Sequence, residues 1–515
     1  MTMKVIYGPP GTGKTTYLIR EVSRLLEAGV KPESIGYMAF SKDAATEARD
    51  RLSGVAGGDQ VDCRTLHSCG YRMLGRPPIM EKADQEAIYE TWAYLISFDD
   101  NGKFKQEDQD MLDRWRSIRR TSSDLHTAMA KLRLEPQLTQ TFVQRYEGYK
   151  QSTGRIDYED MVLRALACDP YPYTVLVVDE AQDLNASQIA FVEHLRTRAG
   201  RTLVAGDDDQ AVMAFQGAHL EWIVSLESIA DEVVKLGQSY RIPRTHHELA
   251  ESVIRRTSIR VEKDYRPRDA EGELLRMRSR RDALEWAAGR KSAAYLGRTG
   301  NECSSAIIQA IAAGVPYVAE RGAGMRPLQH KGLLAATAAL SRLQAGRSIT
   351  YGEMLDIFGA VATMDGTKAL PRGVKADVKR QEPADIVSEE WVTKWGLGDW
   401  LGCLARLEGR ERYSALNSHG YEHLVYLARV LDANGRPPEH AVVITTIHAA
   451  KGREWDRVVL DDTLSPMVAK AMRYGSRQEI DTEHRIAYVG CTRSRDGLLI
   501  LSAPQCRPNA DRYYY

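Results

Sequence analysis

The chain has 515 residues, 43% of them hydrophobic and 27% charged, the balance of a soluble globular protein with room for roughly three or four domains. Lys and Arg together number 70 and Asp and Glu 70, a net charge of zero, which excludes a uniform basic coat for nucleic acid but permits a localised positive groove. Seven cysteines without a CxxC pair exclude a disulfide framework, a zinc ribbon and an iron–sulfur cluster, and point to a reducing, cytoplasmic setting.

The first predicted strand ends in Val5-Ile6-Tyr7 and starts at about residue 3, so no signal peptide is expected. It runs into Gly8-Pro9-Pro10-Gly11-Thr12-Gly13-Lys14-Thr15-Thr16. The glycines let backbone N–H groups turn inward around a triphosphate. Lys14 can reach the β- and γ-phosphates, and the Thr15 hydroxyl can ligate Mg²⁺. A helix follows with Leu18, Val22, Leu25 and Leu26 on one face and Gly29 as its stop. Its positive dipole end meets the same anion. A strand before and a helix after are the context that makes this a nucleotide-binding loop, with ATP and Mg²⁺ as the expected ligands.

Further apolar runs are Ile35–Ala39, Val175–Val178, Leu203–Ala205 and Val233–Leu236. Their continuous rather than alternating hydrophobicity predicts parallel strands covered on both faces. A second set, Ala293–Leu296, Pro316–Val318, Val442–Ile444, Arg457–Leu460 and Leu498–Leu501, predicts a second α/β core without a phosphate loop. Two cores with one loop place the nucleotide in a cleft between them. Residues 75–150 and 331–440 interrupt the cores and are predicted mainly helical. The first carries Arg114, Arg116, Arg119 and Arg120, and the second carries Trp391, Trp395 and Trp400. The arginines suit a solvated helical face better than a duplex contact, and the tryptophans suit the core of a small domain. The richest apolar stretch, Ala306–Ala319, is broken by Gln309, Gly314 and Pro316 and falls short of the ~20 residues of a membrane span.

Two acidic segments follow predicted strands. In Asp179-Glu180-Ala181-Gln182-Asp183, Asp179 at the strand tip can hold Mg²⁺ and Glu180 can orient and deprotonate the attacking water. In Gly206-Asp207-Asp208-Asp209-Gln210, three adjacent carboxylates call for a metal or a basic partner unless they form an exposed acidic turn. Gln210 can touch a γ-phosphate or its water without adding negative charge.

The order of these segments resembles superfamily 1 DNA helicases of the UvrD/PcrA/Rep group. Gly8–Thr15 matches motif I, Ala39–Glu47 motif Ia, Thr65-Leu66-His67 motif Ib, and Asp179–Asp183 motif II. Gly206–Gln210 continuing to Phe215–Ala218 matches motif III, Gln238–Arg241 motif IV, Thr446–Trp455 motif V, and Glu483–Arg493 motif VI. The resemblance spans nearly the whole chain. It implies two RecA-like parallel-sheet cores with two mainly helical insertion domains: 1A at 1–74 and 151–240, 1B at 75–150, 2A at 241–330 and 441–515, and a compact 2B at 331–440. It makes Arg241 and Arg493 arginine fingers reaching the γ-phosphate from the facing core, a role suited to a permanently charged fork. Tyr240 would stack on adenine and Glu454 would accept from the ribose. Phe40 and Phe215 fall at base-stacking positions, and His67, Arg298 and His448 at strand-contacting ones. The implied partners are single-stranded DNA and single-strand/duplex junctions, engaged by a monomer away from any membrane, with 3′→5′ polarity.

The sequence departs from the group in two ways. Only two residues precede the first strand, where relatives carry a glutamine that reads adenine, so selectivity among nucleotides is open. The chain also ends about 22 residues after motif VI, so neither a C-terminal nuclease nor a long tail is expected. A protein-displacing translocase with weak unwinding and a regulatory nucleotide-binding module stay open, as does RNA in place of DNA.

Overall fold

The computed structural model describes residues 1–81, 83–84, 119, 136–214, 217–320, 336, 339–340, 342–343, 345–364, 367–368, 371–398, 401–402, 413–415, 426, 430 and 438–502. The chain divides into two compact units. The first comprises Met1–Arg241 with Arg256–Arg268 and Asp481–Arg485, and the second comprises Ile242–Arg255, Asp269–Ile480 and Ile486–Tyr515.

The first unit is built on β1 (Thr2–Tyr7), β2 (Ile35–Ala39), β3 (Asp62–Thr65), β4 (Val175–Val178), β5 (Arg201–Gly206) and β6 (Glu232–Lys235). They form one sheet in the order β3-β2-β4-β5-β1-β6, parallel throughout. Successive side chains of a strand point to opposite faces. Val5, Leu176, Val178 and Val204 pack into one apolar cluster, and Ile6, Val175, Val177 and Leu203 into another. Both faces are covered, which is why the central strands are continuous apolar runs. α1 (Lys14–Glu27) lays Leu18 and Val22 on the second face and breaks off before Gly29, whose φ is 88°. Burying each of those two side chains contributes about 1.5–3 kcal/mol.

The second unit contains β7 (Glu273–Met277), β8 (Ala293–Gly297) and β9 (Tyr317–Ala319), then β10 (Val361–Met364), β11 (Thr367–Lys368) and β12 (Tyr413–Ala415), and finally β13 (Val442–Thr446), β14 (Trp455–Asp461) and β15 (Ser494–Leu501). Six of these make a second parallel sheet in the order β7-β15-β14-β8-β13-β9. Each unit thus carries one parallel-sheet α/β core, as the apolar runs predict.

Within 331–440 the described helices are Tyr351–Ala360, Val374–Val378 and Glu389–Lys394. Alongside them β10, β11 and β12 form a small antiparallel sheet, which the reading as mainly helical passes over. The signal is there: Asp365-Gly366 between two short β-prone segments is a hairpin sequence. Trp391 and Trp395 both donate to Asp377 Oδ2, at 2.9 and 3.0 Å, and they join the apolar cluster of this region. Trp400 lies outside the described residues, as do Arg114, Arg116 and Arg120.

Arg119 is held between acids rather than solvated. It pairs with Asp157 at 2.8 Å and Asp160 at 2.5 Å, and the fully buried Lys150 meets the same carboxylates at 3.0 and 2.7 Å. Burial opposes the charge on Asp157, but Arg119 and Lys150 outweigh it and bring its pKa down to about 2. Among the described residues no helix is long and apolar enough to cross a membrane.

Candidate functional site

At the carboxyl end of β1, Gly8 N donates to Gly206 O of the neighbouring β5 at 3.2 Å, which fixes where the loop leaves the sheet. Gly11 and Gly13 adopt φ of 75° and 83°, conformations that cost a side-chain-bearing residue about 1 kcal/mol or more. Gly13 then caps α1, whose first residue is Lys14. The lysine is almost fully buried, and its Nζ donates to Gly8 O at 2.7 Å. Its ammonium is thereby held inside the loop's own curve. Thr12 Oγ1 closes the loop onto Pro9 O at 2.8 Å.

β4 ends beside this loop. Thr15 Oγ1 donates to Asp179 Oδ2 at 3.2 Å, and Tyr37 Oη donates to the same oxygen at 2.9 Å. Burial raises Asp179 to about 6, with the Glu180 charge adding to the rise. Thr15 and Asp179 are hard oxygen donors facing one another. They suit Mg²⁺, which takes one or two protein oxygens and fills its shell with water and phosphate. Among the described residues no group of three or more His, Cys, Asp or Glu is arranged to hold a metal. Glu180 has φ 54°, a left-handed conformation worth about 1–3 kcal/mol of strain in a non-glycine residue and typical of functional positions. Gln182 donates its amide to Glu180 Oε2 and accepts from Asp207 N at 2.9 Å, so the two acidic segments are joined by one buried side chain.

The three aspartates are buried, with Asp207 and Asp208 at 0% and Asp209 at 1% exposure, so the exposed acidic turn is excluded. Their basic partner is Lys263, whose Nζ reaches Asp207 at 3.2 Å and Asp209 at 3.0 Å and also pairs with Asp208. Arg260 pairs with Asp209 through Nη2 at 2.8 Å, and Arg485 Nε donates to Asp208 O at 3.0 Å. Against the cost of burial, Lys263 holds Asp207 below the usual carboxylate range. Asp208 goes the other way, up to about 6, because burial together with the charges of Asp209 and Asp207 outweighs Lys263. Gln210 Nε2 donates to Asp207 Oδ2 at 2.7 Å.

Ser239, Tyr240 and Arg241 dock on the phosphate loop within the same unit. Ser239 Oγ and Tyr265 Oη each donate to Pro10 O at 3.0 Å, and Tyr240 N donates to Gly11 O at 2.9 Å. A Cβ on Gly11 would stand 2.5 Å from Arg241 Cβ, so this glycine admits the arginine. The Tyr240 ring is 77% exposed. Arg241 belongs to the loop's own unit rather than to the second core.

Phe40 and His67 follow the paired ends of β2 and β3. Ser41 and Thr65 cap the helices beyond them, α2 (Lys42–Leu52) and α3 (Leu66–Met73). Both side chains line one cavity of about 240 Å³ with Glu159, Asp183, Asn185 and Gln188. Phe40 also packs on the apolar core, and His67 meets the Tyr158 ring edge-on at 6.2 Å. Phe215 lies outside the described residues.

In the second unit, Arg298 and His448 follow the carboxyl ends of the neighbouring strands β8 and β13, where Thr446 pairs with Gly297 and Ile447 N donates to Gly297 O at 2.9 Å. Glu454 pairs with Arg495. Arg493 is 1% exposed, and its guanidinium donates to Val489 O and Thr492 Oγ1 at 3.0 Å each and to Arg453 O at 3.4 Å.

Tyr37, Gln182, Tyr265, Arg260, Lys263 and Arg485 have no role in the sequence reading. Gln182 and Arg485 stand inside matched motifs and could have been found there. Lys263 carries no local signal, because its partner Asp208 is 55 residues away.

A glycine-rich loop closed on a buried lysine, a threonine facing an aspartate, a glutamate in left-handed backbone and a glutamine amide held by Asp207, all at the ends of strands of one parallel sheet, fit the class of nucleotide-binding α/β proteins. Residues 2–231 match the UvrD/REP helicase N-terminal domain and residues 427–505 the UvrD-like helicase C-terminal domain, together more than half of the chain. The chain is 24% identical to the ATP-dependent DNA helicase PcrA of Staphylococcus epidermidis and 23% identical to that of Staphylococcus aureus. In each case the similarity takes in 97% of this chain and 81% of the relative. The chain belongs to the UvrD/Rep helicase family and is an ATP-hydrolysing enzyme.

Proposed function

We propose that this protein is an ATP-dependent DNA helicase that translocates 3′→5′ along single-stranded DNA and opens duplex at single-strand/duplex junctions. The observation that carries the reading is one continuous set of contacts in the first unit. Lys14 donates to Gly8 O of the loop and its neighbour Thr15 to Asp179, Asp179 accepts from Glu180 N, Glu180 accepts from Gln182, Gln182 accepts from Asp207 N, and Asp207 accepts from Gln210. The cavity lined by Phe40 and His67 also touches Asp183 of that acidic segment.

In this reading the backbone of Gly8–Gly13 and the N-terminus of α1 bind the phosphates, and Lys14 offsets their charge. Thr15 and Asp179 hold Mg²⁺, which supplies positive charge to the transferring phosphoryl group. Glu180 takes the proton of the attacking water, and Gln210 orients that water. Arg241 and Arg493 have the finger role of their motifs, Tyr240 stacks on the base of the nucleotide, and Glu454 accepts from its ribose. Phe40 and Phe215 stack on DNA bases, an interaction of ~1–3 kcal/mol per base that tolerates any sequence. His67, Arg298 and His448 contact the strand. Residues 75–150 and 331–440 fill the places of the family's 1B and 2B insertions.

The test is unwinding of 3′- and 5′-tailed duplexes with Mg²⁺ and ATP, beside displacement of a protein bound to a single strand. Strand separation from the 3′ tail alone is expected. Protein displacement without strand separation would make the chain a translocase, and hydrolysis indifferent to single-stranded DNA would make it a regulatory module.

A further inference from the structure

Asp207 performs two tasks with one carboxylate. Oδ2 accepts from the Gln210 amide at 2.7 Å, while Oδ1 faces Lys263 Nζ at 3.2 Å. Its backbone N–H is already committed to Gln182, which in turn holds Glu180. Gln210 has three side-chain torsions and aims in one direction only if its acceptor is fixed. Two further carboxylates, Asp208 and Asp209, are buried beside Asp207. Unopposed, three such charges repel one another and swing apart or take up protons.

Lys263 holds the three together. Its ammonium is 1% exposed and contacts all three carboxylates. The segment carrying it is fixed to the same aspartates by Val261 N, which donates to Asp208 Oδ2 at 2.7 Å, and by Arg260 on Asp209. The lysine is therefore carried by a segment tied to the aspartates at two adjacent residues. It lies in none of the family motifs quoted above, between motif IV and the second core.

We infer that Lys263 is a positioning residue for hydrolysis, setting the aim of Gln210 through Asp207. It does not touch the nucleotide: it fixes the acceptor that fixes the amide, and through Gln182 the same aspartate steadies Glu180. This rests on the assignment of hydrolysis to Glu180 and Gln210.

The test is steady-state ATP hydrolysis by the full chain with oligo(dT), comparing Lys263→Met, Gln210→Ala and the double variant. Lys263→Met is expected to lower kcat on the order of 10²-fold, the scale of a lost transition-state contact, with KM for ATP changed by less than about twofold. In the Gln210→Ala background the same change should cost little further, because neighbours acting through one another are non-additive. An unchanged kcat in Lys263→Met overturns the inference. So does an equal fall in both backgrounds, which is the behaviour of a general structural defect. Should Lys263→Met fail to fold, Asp207→Asn decides. It removes one of the crowded charges and leaves Gln210 to compete with Lys263 for a single oxygen, so a fall of at least about tenfold in kcat is expected, and an unaltered kcat overturns the inference. If Gln210→Ala itself hydrolyses ATP at the full rate, the hydrolytic assignment falls as well, and the two failures are told apart.

Discussion

Lys14 donates to the carbonyl of Gly8, six residues back, so the loop supplies the acceptor that keeps its ammonium inside the curve. Lys14→Ala removes the charge without touching the apolar clusters, and DNA-stimulated ATP hydrolysis should fall by at least ~10²-fold with an unchanged circular dichroism spectrum. Unchanged turnover in that variant would remove the proposed site. Tyr37 acts one contact further out: its hydroxyl fixes Asp179 Oδ2 opposite Thr15. Tyr37→Phe deletes that donor, and partners of this kind set metal affinity by 10–100-fold. The Mg²⁺ concentration for half-maximal hydrolysis should rise by at least about tenfold, which a magnesium titration at saturating ATP would measure. The phosphate loop and the Asp179-Glu180 pair were legible because each rests on adjacent residues. Of the donors that orient them, Gln182 stands inside the matched acidic segment, whereas Tyr37 carries no signal, because a tyrosine in a strand has the same sequence appearance as core.

The helix Tyr158–Leu163 begins at Asp157, which caps it in a reciprocal arrangement with Asp160 while both accept from Arg119 and Lys150. Because the folded state holds Asp157 at about 2 against an ordinary value of 3.8, the unfolded chain takes up its proton first as pH falls. The stabilisation is complete above pH 4 or so and is lost progressively from there towards pH 2. Asp157→Asn should flatten the dependence of the denaturation midpoint on pH in that window and leave an acid-insensitive loss above it. Lys150→Ala leaves buried carboxylates short of a cation and should cost about 3–5 kcal/mol in urea unfolding. Among strands, the buried ones were legible from continuous apolar runs, whereas β3 and β7 were not. Both are sheet edges, and their sequences, Asp62-Cys63-Arg64-Thr65 and Glu273-Leu274-Leu275-Arg276-Met277, carry the charges that an exposed edge requires.

At the scale of the molecule, each half of the chain builds its own parallel sheet, and the candidate residues cluster at the carboxyl ends of strands in both, as ligands do in open α/β sheets. Phe40 and His67 follow β2 and β3, and Arg298 and His448 follow β8 and β13. That distribution was legible because the motifs lie directly after the apolar runs. The neutralisation of Asp207–Asp209 was legible only as a requirement, since sequence could not say which distant cation supplies it. The most direct measurement is ATP-driven unwinding of a 3′-tailed and a 5′-tailed duplex by the full chain. The account predicts strand separation of the 3′-tailed substrate, abolished by Lys14→Ala, and none of the 5′-tailed one. Hydrolysis at the same rate with and without single-stranded DNA, and no separation of either duplex, would contradict it.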